Sequence, residues 1–286
     1  MNRNEECWCG SGLKYKRCHM PIEERIAEAA RAGHETPGRE LLKTPEQIAG
    51  IRRSAQVNTG VLDHVAARIR PGMTTREIDE LVEQYTRAHG AAPAPLGYNG
   101  FPKSVCTSIN DQVCHGIPDE TVLEEGDIVN VDVSTILDGY FSDASRMFEI
   151  GNVAPEAHRL VEVARECMEV GVAALRPWGF LGDMGEAVHE HARRNGYSIV
   201  REIGGHGIGL EFHEEPFVSY VSRRGTEMLL APGMIFTIEP MVNAGGPAVV
   251  IDAENEWTVY TEDGALSAQW ECMVLMTEEG PEILTA

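Results

Sequence analysis

The chain has 286 residues, 43% of them hydrophobic and 24% charged, the proportions of a globular protein and not of a disordered or collagen-like one. No apolar run reaches the roughly 18–20 residues of a membrane span, and Met1–Glu6 lacks the apolar core of a secretion signal, so a cytoplasmic protein without membrane association is expected. The net charge of −21 argues against a body that grips nucleic acid through its overall field.

The charge is unevenly spread. Within residues 1–20, Arg3, Lys14, Lys16 and Arg17 outnumber Glu5 and Glu6, which leaves +2 there and −23 on the rest of the chain. Cys7-Trp8-Cys9 and Cys18-His19 gather three thiolates and an imidazole in 13 residues. In a reducing compartment that density suits one structural Zn²⁺ in a closed tetrahedral set, and so short a peptide needs the metal to fold. Gly10-Ser11-Gly12 permits a tight turn, and Lys14-Tyr15-Lys16-Arg17 forms a basic aromatic rim. The string from Cys7 to His19 resembles the zinc motif at the C-terminus of the secretion ATPase SecA. That resemblance implies a small docking module for protein partners, ribosomes among them. Residues 21–43 then read as a helix from Ile22 to Arg31 and a linker broken by Gly33, Pro37 and Gly38.

From residue 44 to residue 286 the pattern is that of a duplicated α/β body. Thr44-Pro45-Glu46-Gln47 is a capping box with proline at the first helical position. Apolar residues from Ile48 to Ile69 follow helical spacing until Arg70-Pro71-Gly72. A second capping box, Thr74-Thr75-Arg76-Glu77, opens a helix that Gly90 closes. The order recurs 106 residues later, in a helix over 155–175 that ends at Arg176-Pro177 and another that Gly196 closes. Strands repeat at an offset of 107: Gly126 to Asp132 aligns with Gly233 to Glu239, each an apolar strand ending on a carboxylate. The architecture expected is two related halves, helices outside, strands facing across a pseudo-two-fold cleft.

The carboxylates carry the chemistry. Asp127 to Ser134 and Tyr140 to Ile150 read as a hairpin about Asp138-Gly139. A two-residue turn there sets Asp143 opposite Ser134, so Asp132 and Asp143 become diagonal neighbours on one face. Acids so placed can hold a metal pair; without one they repel, and an edge hairpin with its acids in water is the alternative. His206 lies among glycines in Gly204 to Gly209, a spacing that is not a dinucleotide fingerprint. Glu239 occupies the duplicate of the Asp132 position, and Glu271 sits in an apolar strand from Ala268 to Val274, where a buried acid needs a partner.

Five ordered motifs, Gly97 to Cys106, Cys114 to Pro118, Gly205 to Gly209, Thr237 to Met241 and Ser267 to Glu271, resemble type I methionine aminopeptidases over residues 40–286. The resemblance implies the "pita-bread" fold with a central antiparallel sheet, and removal of initiator methionine from nascent chains whose second residue is small. It implies that Asp132 binds one divalent ion, that Asp143 and Glu271 bridge two, and that His206 and Glu239 complete the second site. Water held between the ions would be the nucleophile, with Glu239 moving its proton and His115 and His213 contacting substrate. Tyr98, Phe101, Cys106, Phe212 and Trp257 would line the methionine pocket. Pro95, where the family often has cysteine, and Cys272, where histidine is frequent, depart from the pattern.

Mostly oxygen donors leave Mn²⁺, Fe²⁺, Co²⁺ and Zn²⁺ all compatible with the centre. Two other readings compete: a proline dipeptidase of the same fold, whose relatives usually carry a large N-terminal domain, and a non-catalytic binding protein that docks on ribosomes. The family suggests a monomer. His34, His64, His89 and His158 have no partner in the pattern and read as solvated, and His189 and His191 do not share a helix face.

Overall fold

The computed structural model describes residues 1–285. Helix α1 (Met20–Arg31) follows the cysteine-rich arm, and α2 (Pro45–Ala66) and α3 (Thr75–Ala88) cover the first half of the body. Helices α4 (Pro155–Ala174) and α5 (Leu181–Arg194) cover the second. Both expected capping boxes are formed: Thr44 Oγ1 accepts from the Gln47 N–H, and Thr74 Oγ1 from the Glu77 N–H. At the duplicate of Thr74 stands Phe180, which has no capping oxygen. Asp183, the duplicate of Glu77, still accepts from the Phe180 N–H at 3.2 Å, so half of the cap survives in the second copy. The first long helix ends at Ala66, a turn before Arg70-Pro71.

In chain order the strands are β1 (Ala92–Pro93), β2 (Cys106–Ile109), β3 (Gln112–Cys114), β4 (Ile128–Leu137), β5 (Tyr140–Glu149), β6 (Ser198–Ile199), β7 (Gly205–Gly207) and β8 (Glu214–Val218). They continue as β9 (Ile235–Ile238), β10 (Met241–Asn243), β11 (Val249–Ile251), β12 (Val259–Thr261), β13 (Ser267–Gln269), β14 (Cys272–Met276) and β15 (Pro281–Ile283). All pairings are antiparallel. Strand β4 is the hub of the first half, paired with β1, β2 and β5, and the second half is centred on the order β15-β14-β9-β7-β8. Of two further three-stranded sheets, β11-β12-β3 pairs strands of both halves, and β13-β10-β6 is built from the second half alone.

Each half has its own core. Val61, Leu62, Ile78 and Val82 of α2 and α3 pack on Val129, Val131 and Val133 of β4. Leu160, Ala164, Met184 and Val188 of α4 and α5 pack on Phe236, Ile238 and Val274. The alternation of β4 is what places polar side chains on the opposite, inner face.

The β4–β5 hairpin turns on Asp138 (φ 52°) and Gly139 (φ 82°), two left-handed residues as a primed turn requires. Ser134 pairs with Asp143 and Asp132 with Ser145, the expected register. Two expectations need correction. Strand β4 runs on to Leu137, so Asp132 lies in mid-strand and not at its end, and its duplicate Glu239 stands just past β9. The strand expected over Ala268–Val274 is two strands in different sheets, β13 on β10 and β14 on β9. Glu271 lies in the break, its N–H donating to Ser145 O at 3.2 Å. Crossing from one sheet to the other at Trp270-Glu271 is what swings this carboxylate into the cleft.

Candidate active site and metal centre

Every residue expected at the metal centre and in the methionine pocket lines one cavity of about 490 Å³ between the two halves. Asp132 and Asp143 come from β4 and β5, His206 from β7, Glu239 from the end of β9, and Glu271 from the β13–β14 break. Ligand atoms of Asp143, His206 and Glu271 lie within 4.8 Å of one another. His206 Nε2 is 3.6 Å from Glu239 Oε1 and 3.9 Å from Asp143 Oδ2.

Backbone and side-chain contacts hold these groups from behind. Ser134 donates to Asp143 Oδ1 at 2.9 Å, while the Asp143 N–H meets Met273 Sδ and its carbonyl accepts from Thr285. Thr237 Oγ1 and Gln269 Nε2 donate to the two oxygens of Glu239, at 2.6 and 3.0 Å. Asn130 in turn binds Gln269 O. Gln269 belongs to a motif singled out in the sequence, yet its grip on Glu239 shows only once β10 and β13 are paired. His206 is set among Gly205 and Gly207 because a Cβ at Gly207 would lie 2.0 Å from Glu215 O.

Four buried carboxylates in so small a space are electrostatically costly. Burial pushes Asp132 up to about 7 and Glu239 up to about 8. Asp143 and Glu271 are raised well above the usual range, first by burial and then by neighbouring acids, Asp132 and Glu239 beside Asp143, and Asp143 and Glu239 beside Glu271. Asp132 Oδ1 is buried without a hydrogen-bond partner. Among the described residues no lysine or arginine forms an ion pair with any of the four. His206 is lowered to about 3 by burial, so it is a neutral imidazole with Nε2 turned to the acids. Hard oxygen donors, one neutral nitrogen and an orphaned buried acceptor are the chemistry of a divalent-cation site; a cation supplies what the protein itself does not.

The opposite wall of the cavity, expected to take the methionine side chain, is aromatic. Phe101 and Trp257 meet edge to face at 5.2 Å, and Tyr98 and Phe212 likewise at 4.8 Å. Cys106 pairs with Asp132 in the β2–β4 register, which puts its thiol at the junction of pocket and carboxylates. Pro95 also lines the cavity. His115 adopts φ 57°, a left-handed conformation costing about 1–2 kcal/mol outside glycine, and such strain gathers at functional sites. Burial lowers its imidazole to about 4. His213 Nδ1 is 2.9 Å from Tyr98 Oη, and its ring lies 4.2 Å from that of His206.

In the arm, Cys7, Cys9, Cys18 and His19 also converge within 4.8 Å. His19 Nδ1 lies 3.2 Å from Cys7 Sγ and from Cys18 Sγ, and Cys9 and Cys18 sulfurs are 3.5 Å apart. Edges of that size fit a tetrahedron with zinc–ligand distances of about 2.1–2.3 Å. Tyr15 of the basic aromatic rim is half-buried and donates to Glu23, which also accepts from Trp8 and from Arg39. Trp8, Ile22 and Ile26 pack against the core of the second half. The arm is thus seated on the body.

Five of the other histidines have neighbours that the sequence pattern did not reveal. His158 meets Glu149 and Glu162, His191 meets Glu166, the His34 ring lies tilted against Phe180, and His64 and His89 flank Tyr85.

Residues 49–278 match metallopeptidase family M24, and residues 3–21 match the SEC-C motif. A methionine aminopeptidase of Chlamydia pneumoniae is 44% identical over all of this chain and 99% of its own length. Methionine aminopeptidase A of Synechocystis sp. is 48% identical over 85% of this chain and 96% of its own. The crystal structure of methionine aminopeptidase from Rickettsia prowazekii superposes with a TM-score of 0.84 at 42% identity, covering 86% of this chain and 99% of that one. A prolidase from Pyrococcus furiosus shares the fold at a TM-score of 0.69 and 23% identity. No helix among the described residues is long and apolar enough to cross a membrane. With its M24 match and these full-length relatives, the chain belongs to the methionine aminopeptidases of metallopeptidase family M24.

Proposed function

We propose that the chain removes the initiator methionine from nascent polypeptides whose second residue is small, using two divalent ions held by Asp132, Asp143, His206, Glu239 and Glu271. The observation that carries this reading is the meeting of five donor side chains with an aromatic slot in one cavity. When bound, such ions lower the pKa of a shared water and polarise the scissile carbonyl. The chain's own groups do the rest. Glu239, buried in the cavity with its two oxygens held by Thr237 and Gln269, is placed to take and return a proton. His115 and His213 act as neutral hydrogen-bond partners, because burial lowers both. In the tautomer in which Tyr98 Oη–H donates to Nδ1, His213 carries its proton on Nε2, where it can bind the carbonyl oxygen as charge develops there. His115 orients the scissile amide. Tyr98, Phe101, Cys106, Phe212 and Trp257 take the methionine side chain, whose thioether packs well on thiol and rings.

Residues 1–20 form a zinc module, residues 21–43 its linker and residues 44–286 the catalytic domain. Three thiolates suit a reducing, cytoplasmic setting. Arg3, Lys14 and Arg17 remain exposed on the module and favour docking on an anionic partner such as the ribosome. Hydrolysis of Met-Ala-Ser and of Ala-Pro, with added Mn²⁺ or Co²⁺, tests the activity: turnover of the first alone supports this reading, turnover of the second alone makes the chain a dipeptidase. Inactivity on both, with every metal, leaves a binding protein.

A further inference from the structure

One charged side chain beneath the site is absent from every motif described above. Lys43, the last residue of the linker, is only 3% exposed, and its ammonium pairs with Glu214 Oε2. The other carboxylate oxygen, Oε1, accepts from the backbone N–H groups of Leu210 and Glu211, at 2.7 and 3.0 Å. One carboxylate therefore closes the segment 210–214 on itself and ties it to Lys43. That segment carries Phe212 and His213, the wall of the methionine pocket and the proposed partner of the carbonyl oxygen.

Lys43 is itself firmly mounted. Its N–H donates to Gly233 O at 2.9 Å, and the next residue, Thr44, caps α2. The start of the loop rests on its methylene stem and on Ile51: a Cβ at Gly209 (φ +135°) would lie 2.5 Å from Ile51 Cδ1 and 3.5 Å from Lys43 Cε. A buried ammonium is tolerated only with a partner. Here the partner belongs to the loop that carries His213 into the cavity.

We propose that Lys43 is a positioning residue for the reaction, acting through Glu214 to hold His213 in register with the carbonyl of the scissile bond. The inference rests on the role proposed for His213, and its test has one arm that does not depend on activity. Manganese-loaded, full-length Lys43→Met is compared with wild type by hydrogen exchange and by hydrolysis of Met-Ala-Ser. Peptides spanning 208–215 should exchange several-fold faster while those of α2 stay unchanged. The kcat should fall on the order of tenfold, with KM within about twofold, as misplacement of an orienting group costs. In a His213→Ala background the same substitution should change kcat less than about twofold, because the group it positions is gone. Should Lys43→Met not fold, Glu214→Gln removes the charge pairing from the other side and should give the same three results. Unchanged exchange over 208–215 overturns the proposal, and so does an equal loss of kcat with and without His213, which would mark a general destabilisation. If wild type fails to cleave Met-Ala-Ser at all, the aminopeptidase reading falls and the exchange result alone decides whether Lys43 fixes the loop.

Discussion

Tyr98 Oη lies 2.9 Å from Nδ1 of His213, across 115 residues of sequence. The hydroxyl finds there the polar partner a buried tyrosine needs, and the contact holds the His213 ring by one of its nitrogens. Tyr98→Phe keeps the ring and its edge contact with Phe212 but removes the hydroxyl that holds the His213 ring. Steady-state kinetics on Met-Ala-Ser should show kcat down about tenfold, the order of a lost orienting hydrogen bond at about 1–1.5 kcal/mol, with KM little changed. A fall in KM-governed binding with kcat intact would instead make Tyr98 a pocket wall and nothing more.

The four buried carboxylates make a prediction about stability without metal. Asp132 and Glu239 are raised by burial to about 7 and about 8, so the folded state holds their protons at pH values where the unfolded chain, with ordinary carboxyls near 4, has released them. Stability therefore falls as pH rises toward 8. His115 and His206, lowered to about 4 and about 3, act in the opposite sense but only below about 6.5, where the unfolded chain takes up their protons. The window free of that opposition is pH 6.5 to 8. Calorimetry on chelator-treated protein should find Tm dropping across it, and saturating Mn²⁺ should abolish or reverse the drop, since the ions bind the ionised form. A flat profile for the metal-free protein would show that the acids are not crowded as the geometry has them.

The same electrostatics sets function against stability at Asp143. Asn in its place can still accept from Ser134 but is neutral at every pH, so folding no longer has to keep that carboxyl protonated or crowd its charge among the others. Asp143→Asn should raise the Tm of the metal-free protein at pH 8 relative to metal-free wild type, while abolishing peptide turnover and lowering metal content measured by elemental analysis. Lowered Tm together with full metal content would count against Asp143 as a ligand.

Much of this was legible in the residues. The β4–β5 register follows from Asp138-Gly139 alone, because a two-residue turn fixes every pair in the hairpin, and the duplication follows from offsets shared by helices and strands. What stayed hidden was long-range. Nothing in the local pattern of Ala268–Val274 marks the step from one sheet to another, since both pieces are apolar and strand-forming. Lys43 reads as a linker residue next to a helix cap, and its burial depends on Glu214, 171 positions away. Phe180 for Thr74 shows a duplicate whose cap has decayed while its helix survives on packing.

The arm allows a last separation of roles. Replacing Cys7 and Cys9 by Ser leaves two of four donors, too few to hold zinc in a closed tetrahedral site. One tightly bound zinc per chain should disappear from elemental analysis, and residues 1–19 should become sensitive to protease. Turnover of Met-Ala-Ser should persist within about twofold, because Lys43 stays anchored by its own bond to Gly233 and by Leu42, which is buried in the core of the second half. Glu23→Ala asks a different question of the same arm: it removes the acceptor shared by Trp8, Tyr15 and Arg39 while leaving all four zinc donors. That variant should keep its zinc and lose about 1–2 kcal/mol of stability, the scale for hydrogen bonds to a partly buried carboxylate. Zinc content unchanged in the double serine variant would overturn the assignment of the four ligands, whatever happened to activity.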